Sequence, residues 1–528
     1  MDKIKPLVFW PPFLLLATAV LYSFVDLYGF ISVTGSINDW ILAHFSWLFS
    51  TVTLGLLITV IGVFFSPLAR VRIGGRDAEP LLGKWRWFSI TLCTTIATGI
   101  LFWATAEPMH HLHSPPRSLD IIPGSEAAAR FAMSSMFLHW SFTPYAIYTV
   151  PALTFALTYY NLDKPFSLGA ALSPVLGGAM LHRRGEIIDA IALYSLVAGM
   201  SASLGAGVLT LAGGLEHMFQ FRSDILVQAA ITVVIVITFV VSAVSGLKNG
   251  IARLSNINAK IFFVYCGFVF LFGPTLFILS MGAEGLGEYV QTFLQKSLFT
   301  GLSSGDPWPQ TWTIFYWANW FAWAPVTAMF LGRIARGYTV RQFICVNLIL
   351  PSLFACVWMS TFSGTAIHMD LQRDGALYSL MRLQGEEAVI YEIFNHLPLA
   401  QATVALFVFV TFLSYVTAAD SNTEAISHLC TEGARHNLHS QVAASVKLKL
   451  IWGVSIGTVA WIMVSFAKID GIRMMSNLGG LPAMFIILGL NVALIKMLFS
   501  EMALLKKGRG CGPRFAGVWF FIEQLLGR

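Results

Sequence analysis

Apolar runs long enough to cross a lipid bilayer recur along almost the whole of this 528-residue chain. A helix needs about 20 apolar residues to cross about 30 Å of hydrocarbon, because each residue advances the helix by about 1.5 Å. Twelve such runs are centred near residues 18, 55, 95, 148, 198, 235, 270, 320, 350, 412, 457 and 488. The sequence therefore predicts an all-α integral membrane protein with twelve transmembrane helices.

The charged residues support this class and suggest an orientation. Only 11% of the residues are charged while 56% are hydrophobic, which leaves too few charges for a water-soluble protein of this size. If the N-terminus is cytoplasmic, the inner segments carry about three times as many lysines and arginines as the outer loops. We therefore expect both termini in the cytoplasm. The net charge of +6 then reflects topology, so nucleic acid is not an expected partner.

Two of the apolar runs each place three aromatic side chains on one face of a helix. The two sets are Trp140, Tyr145 and Tyr148 on one helix, and Trp317, Trp320 and Trp323 on the other. At 100° per residue, each set falls within an arc of about 120° to 140° and can face one cavity. Aromatic faces attract a cation that has no hydrogen-bond donor, which favours a quaternary ammonium site. The alternative is that these rings form interfacial belts or ordinary packing.

Two spans contain features that interrupt a helix. The third contains the run Thr94–Gly99, which has little helix preference, and it closes at Glu107 and Pro108. Glu107 is expected to cap or brace the loop there. The eighth contains Pro325, which removes a backbone donor. Interrupted membrane helices often bind substrate or ion at matching places in two inverted repeats, and these two lie five helices apart.

The breaks suggest how the chain is divided. Residues 1–80 would hold helices one and two outside the symmetry, 81–300 the first repeat of helices three to seven, and 301–500 the second repeat of helices eight to twelve. Residues 501–528 would form a basic cytoplasmic tail. Its lysines and arginines beside aromatic residues could rest on anionic membrane lipids, and simple anchoring is the alternative.

Three segments resemble the betaine/carnitine/choline transporter family. They are His139–Tyr148 (HWSFTPYAIY), Thr311–Phe343 with its tryptophan-rich run and RIARG loop, and Val416–Ser421 (VTAADS). The pair Glu107 and Pro108 also matches. The resemblance implies a secondary transporter of the bacterial inner membrane with a LeuT-like fold. That fold has two inverted five-helix repeats after two extra helices, and it is expected to form a homotrimer that carries small onium compounds.

The resemblance also implies roles for particular residues. The onium head group would lie in an aromatic box made of Trp140, Tyr145, Tyr148 and Trp320, in which Tyr145 replaces a more usual tryptophan. The route toward the cytoplasm would pass Trp317 and Trp323, the pathway would be gated by Phe102 and Phe315, and the third-helix break would bring Ile96 and Thr98 to the substrate. No enzymatic activity and no organic cofactor are expected.

Two departures from the family pattern concern the substrate and the coupling ion. A glycine-rich stretch of the third helix is replaced here by Thr95–Gly99, whose two threonine hydroxyls can bond a carboxylate or hydroxyl of the substrate. Sodium-coupled members usually supply two hydroxyls at the position of Thr417 and Ala418, and Ala418 has none. The candidate ion-coupling residues are Thr95, Ile96, Thr417 and Asp420. Sodium symport, proton symport and substrate exchange stay open, and Asp420 is either a proton relay or a structural acceptor.

The charge of the substrate can be argued from the acids near these segments. No acid lies in the third-helix break or between Phe315 and Pro325, which favours a betaine-like zwitterion over choline. Carnitine and dimethylsulfoniopropionate fit the same box.

Other classes of site and function leave weaker signals. The cluster His110, His111 and His113, expected in an outer loop, has no standard metal spacing, and the cysteines show no zinc pattern, so no metal site is expected. A membrane enzyme would need a nucleophile or metal cluster, and a channel would need a continuous polar pore. A non-transporting sensor with the same fold is a further alternative.

Overall fold

A computed structural model describes residues 4–96, 98–220, 223–245, 251–431 and 446–499. Within these ranges, eight helices are long and apolar enough to cross a membrane, or nine if one bent pair is counted as a single span. The prediction of an all-α membrane protein is therefore confirmed, while the count of twelve stays a prediction. The basic tail 501–528 and most of the inner loop after Thr431 lie outside the described residues.

The described ranges contain nineteen α-helices. The first part of the chain forms α1 (Pro6–Val25), α2 (Leu27–Phe65), α3 (Lys84–Ile96), α4 (Gly99–His113), α5 (Glu126–Trp140), α6 (Phe142–Ala156), α7 (Leu168–Ala171), α8 (Ser173–Leu176), α9 (Arg183–Phe219), α10 (Ile225–Ser245), α11 (Ile251–Phe272) and α12 (Thr275–Ser297). The second part forms α13 (Phe315–Ile334), α14 (Val340–Ile344), α15 (Leu350–Leu371), α16 (Ala376–Gln384), α17 (Ala388–Asn395), α18 (Ala400–Cys430) and α19 (Val446–Phe499).

The predicted break in the third span is present. Helices α3 and α4 are bent by 52° relative to each other across the segment between Ile96 and Gly99. Glu107, which we expected to brace a loop, lies inside α4, because the helix continues through Pro108 to His113.

The predicted break in the eighth span is wrong. Helix α13 runs without interruption through Pro325. A proline removes a single backbone donor, and packing against neighbouring helices allows a membrane helix to absorb that loss. The irregular part of this span comes earlier, in a wide π-helical turn at Gln310–Ile314 that leads into α13.

The fourth span contains a break that the sequence analysis did not predict. Ser141, with φ −111° and ψ −124°, separates α5 from α6. Trp140 therefore ends one helix while Tyr145 and Tyr148 lie on the next, so the expected single helical face is wrong. Pro144 lies in the first turn of α6, where a proline costs no helical hydrogen bond.

The last helix, α19, is two helices joined at one residue. Lys468 has φ 47° and ψ −130° inside the 54-residue segment. An unbroken helix of that length would extend about 80 Å, far more than a bilayer needs, so this change of direction has a clear physical reason.

The RIARG loop ties the end of α13 to two other regions. Arg333 forms an ion pair with Glu424 of α18 at 3.0 Å. Gly337 has φ +87°, and a Cβ there would lie 2.3 Å from the carbonyl carbon of Glu79. Only glycine fits this position, because the loop combines a left-handed conformation with close backbone contact.

Candidate functional site

Three aromatic rings from α5 and α6 meet around the ring of Trp320 on α13. The ring centroid of Trp320 lies 5.7 Å from Trp140, 5.7 Å from Tyr145 and 5.4 Å from Tyr148. All four side chains are buried. The structure thus brings together the four residues of the expected aromatic box, although their role in binding stays a prediction.

Two backbone breaks position these rings. The break at Ser141 lets Trp140 and the two tyrosines approach Trp320 from the ends of different helices. The break before α4 places Gly99 against Trp140, since a Cβ at Gly99 would lie 3.0 Å from Cη2 of the indole. A side chain at this position would push against the box, so the one glycine kept from the family pattern has a packing role.

The other predicted substrate residues make separate contacts of their own. Trp323 donates its indole N–H to Ser203 Oγ at 3.0 Å, and Thr98 donates to the carbonyl of Ser203 at 2.9 Å. Trp317 lies beside the ring of His139, with centroids 6.0 Å apart. Ile96 is buried at the end of α3.

The two predicted gate residues meet through a third ring. Phe102 and Phe315 both contact Trp103, with centroid separations of 4.8 Å and 5.8 Å. Arg473 lies over the neighbouring rings, its guanidinium 5.0 Å from the centroid of Trp312 and 5.9 Å from that of Phe315.

Glu107 is the polar centre next to the box. Its Oε2 accepts hydrogen bonds from Trp140 Nε1 at 2.8 Å and from the hydroxyl of Tyr316 at 2.6 Å. Its Oε1 lies 3.0 Å from His111 Nε2 and 2.6 Å from His139 Nδ1. The carboxylate is fully buried, and it joins helices α4, α5 and α13 through a member of the box.

Glu107, His111 and His139 are close enough to hold a metal ion by spacing alone, since their ligand atoms lie within 4.8 Å of one another. Two ligands about 2.0 to 2.2 Å from one tetrahedral metal would be roughly 3.4 Å apart, however. The contacts of 3.0 Å and 2.6 Å between Glu107 Oε1 and the two imidazoles are hydrogen-bond lengths. The arrangement fits a hydrogen-bond network better than a metal site.

The prediction that His110, His111 and His113 lie in an outer loop is wrong. All three residues lie in the last turn of α4. Each faces a different acid: His110 pairs with Glu386, His111 with Glu107 and His113 with Asp370. Although burial acts to raise it, the hydrogen bond from His110 and its charge hold the pKa of Glu386 below its ordinary value.

The sequence matches the family described as BCCT, betaine/carnitine/choline family transporter, over residues 7–503. The chain belongs to this family. It is therefore a multi-pass membrane transporter of a small-molecule substrate and not an enzyme.

The similarity to known proteins covers most of this transporter's chain. An ectoine/hydroxyectoine transporter of Virgibacillus pantothenticus is 30% identical over 465 residues, covering 88% of this chain and 89% of that protein. The glycine betaine transporter OpuD of Bacillus subtilis (strain 168) is 30% identical over 506 residues, covering 95% and 96%. A solved structure of a substrate-bound, outward-open Na+-coupled sialic acid symporter aligns with 85% of this chain and 85% of its own, at 13% identity and a TM-score of 0.48.

The residues that we expected to couple an ion lie on α3 and α18 of this transporter. Thr95 donates to the carbonyl of Thr91 at 2.9 Å, and Thr417 donates to that of Ser414 at 3.0 Å, so both hydroxyls bond within their own helices. The two helices are joined instead by the hydroxyls of Thr94 and Ser421, 3.1 Å apart.

Asp420 bonds a different helix. Its Oδ2 accepts from Ser242 Oγ of α10 at 2.5 Å. Its Oδ1 is buried and has no hydrogen-bond partner within the described parts of the chain.

Sequence reasoning missed the role of Glu107 in the box. A signal was present, because Glu107 and His111 are four residues apart and helical spacing places them on one face. Their contact with His139 and Tyr316 depends on tertiary packing, which spacing cannot predict.

Proposed function

We propose that this transporter imports a quaternary ammonium or related onium compound by alternating access, with a betaine-like zwitterion as the favoured substrate. Choline, carnitine and dimethylsulfoniopropionate are further members of the class. The observation that carries the proposal is the meeting of three aromatic rings around Trp320 in a buried position. Methylated cations offer no hydrogen-bond donor and bind through aromatic faces.

The names of the relatives agree with this class of substrate. They are transporters of ectoine and hydroxyectoine, of glycine betaine and, in Acinetobacter baylyi, of choline. Glycine betaine and ectoine are zwitterions with a delocalised or shielded positive charge. We therefore place the positive group in the box and expect Thr98 of the helix break to lie near the polar end.

The transport mechanism requires a topology with two repeats, and we propose twelve spans for this chain. Splitting α19 at Lys468 and counting α3 with α4 raises the apolar spans to ten. The α5–α6 pair and α13 would supply the other two, and they are less apolar because they carry the polar and aromatic site residues. Inverted repeats of helices three to seven and eight to twelve, cytoplasmic termini, an inner-membrane location and a homotrimer complete the proposal.

For the coupling ion we propose a sodium site between α3 and α18. The hydroxyl contact of Thr94 with Ser421 brings oxygen atoms from both helices together beside Thr95, Ile96 and Thr417. Proton coupling is the second candidate, because Asp420 is a buried acid with one oxygen lacking a hydrogen-bond partner among the described residues.

The experiment is binding of glycine betaine, choline, carnitine and dimethylsulfoniopropionate to the purified protein, each in sodium and in potassium, followed by tryptophan fluorescence. Uptake into proteoliposomes then separates transport from binding. We expect saturable binding of at least one zwitterion and tighter binding in sodium. Equal affinity in both salts would replace sodium coupling by proton coupling or exchange, and no onium binding would refute the proposed substrate class.

A further inference from the structure

The hydrogen bonds around Glu107 account for both of its carboxylate oxygens. Each oxygen has two neighbours that can donate: the indole of Trp140 and the hydroxyl of Tyr316 on one side, and the imidazoles of His111 and His139 on the other. Four donors facing one carboxyl group suit the ionised form, because a protonated carboxyl would have to donate in one of these four directions.

The four donors also explain how a charge can be held there. Glu107 is fully buried, and so are His111 and His139. His139 is fixed in turn, since its Nε2 lies 3.0 Å from the hydroxyl of Thr313. A charge held by fixed dipoles in surroundings of low dielectric acts on its neighbours more strongly than the same charge in water.

From these contacts we propose that Glu107 is a positioning residue that supplies the counter-charge of the aromatic box through Trp140, and thereby sets the affinity for positively charged head groups. This inference rests on the proposed function. The indole of Trp140 donates to the carboxylate at 2.8 Å, and its ring centroid lies 5.7 Å from that of Trp320, so the negative charge lies at the edge of one ring of the box. Donation to an anion enriches the electron density of the indole face that meets the cation.

A cation, Arg473, also lies near this network, over the rings of Trp312 and Phe315. Arg473 lies on α19, and its ion partner is Asp470 at 3.4 Å. The ring of Trp312 also lies 4.8 Å from that of His111, which bonds Glu107, so the charge of Arg473 is balanced by an acid of its own beside this network.

The test compares two ligands of equal shape and different charge. Glycine betaine carries a trimethylammonium group, and 3,3-dimethylbutyrate carries a tert-butyl group in its place, with the same carboxylate. Glu107→Gln should weaken glycine betaine about tenfold and leave 3,3-dimethylbutyrate unchanged or tighter, measured by competition in purified full-length protein. Equal losses for both ligands would show a purely structural role and overturn the inference.

A second variant keeps the test decisive if Glu107→Gln does not fold. Tyr316→Phe removes one donor from the carboxylate and leaves its charge in place, so the preference for glycine betaine over 3,3-dimethylbutyrate should be kept or raised. A reduced preference in Tyr316→Phe would contradict the inference. If the unmodified protein binds neither ligand nor any other onium compound, the proposed function itself fails and this inference falls with it.

Discussion

Two buried carboxylates in this transporter differ in how their oxygen atoms are used. Glu107 has four neighbours that can donate to it. Asp420 is held by one bond from Ser242, and its Oδ1 has no hydrogen-bond partner in the described part of the chain. The first acid has the environment of a fixed charge. The second has an oxygen that a proton or a metal cation can still use.

The difference shows that burial alone does not identify an ion-coupling acid. Both side chains are at most 1% exposed. The number of donors around each one separates a group that organises its neighbours from a group that can exchange a ligand. The predictions that follow test this separation.

The largest expected difference is in stability. Glu107→Ala leaves the buried donors of four side chains without an acceptor and should cost about 3 to 5 kcal/mol of unfolding free energy. Asp420→Ala removes one bond and should cost about 1 kcal/mol, since the charges of Glu424 and Lys449 near it oppose each other. Thermal unfolding in detergent should show a melting temperature several degrees lower for Glu107→Ala. Equal shifts for the two variants would remove the distinction.

A smaller effect should appear as coupling between Glu107 and the box. In a double-mutant cycle, Glu107→Gln and Trp140→Phe should be non-additive by about 1 to 2 kcal/mol, because each removes the same charge-assisted bond. Asp420→Asn and Trp140→Phe should be additive. Unfolding free energies of the single and double variants provide the measurement, and additivity in the first cycle would refute the link through Trp140.

Next in size is the contribution of the ring at the centre of the box. The indole N–H of Trp320 has no hydrogen-bond partner among the described residues, so Trp320→Phe changes the ring without breaking a bond. Affinity for glycine betaine should fall by about 0.5 to 1 kcal/mol, or roughly two- to fivefold.

The matched control for that variant is Trp358→Phe. Trp358 is buried, its indole N–H also lacks a partner in the described ranges, and it stacks on Phe362 with centroids 4.2 Å apart. The substitution Trp358→Phe should leave the affinity for glycine betaine unchanged. An equal loss in both variants would point to a general packing effect.

The features predicted correctly from the sequence depend on local or nearly local information. The membrane class follows from the length of the apolar runs, and the bend before Gly99 follows from a run with poor helix preference. The meeting of Trp140, Tyr145, Tyr148 and Trp320 was expected from the family resemblance, whereas the helical spacing that placed the first three on one helix face was wrong.

The errors have a common physical origin in tertiary packing. Pro325 was expected to break its helix and does not, while Ser141 was not expected to do so and does. Pro144 was the available signal for the second break, since prolines favour the first turn of a helix. Glu107 is separated by more than 200 residues from Tyr316, so no local pattern could predict that bond.

A third acid, outside the membrane-spanning segments, extends the comparison with the smallest expected effect. Burial at the start of α17 is the main cause that raises the pKa of Glu387 from 4.5 to about 7. A backbone hydrogen bond and the charge of Lys468 act against this rise, and the charges of Glu386 and Glu216 contribute to it. The folded state therefore binds more protons than the unfolded state between pH 4.5 and 7. Stability should fall as the pH rises through this window.

Glu387→Gln should remove this slope, worth less than about 1 kcal/mol because the side chain is partly exposed, in thermal unfolding at pH 5, 6 and 7. Glu386 supplies the opposite control, since its pKa lies below 4.5 and its contribution is lost as the pH falls. Glu386→Gln should therefore leave the slope between pH 5 and 7 in place. If Glu387→Gln keeps the slope of the unmodified protein, then Glu387 does not produce the slope, and the comparison does not extend to this partly exposed acid.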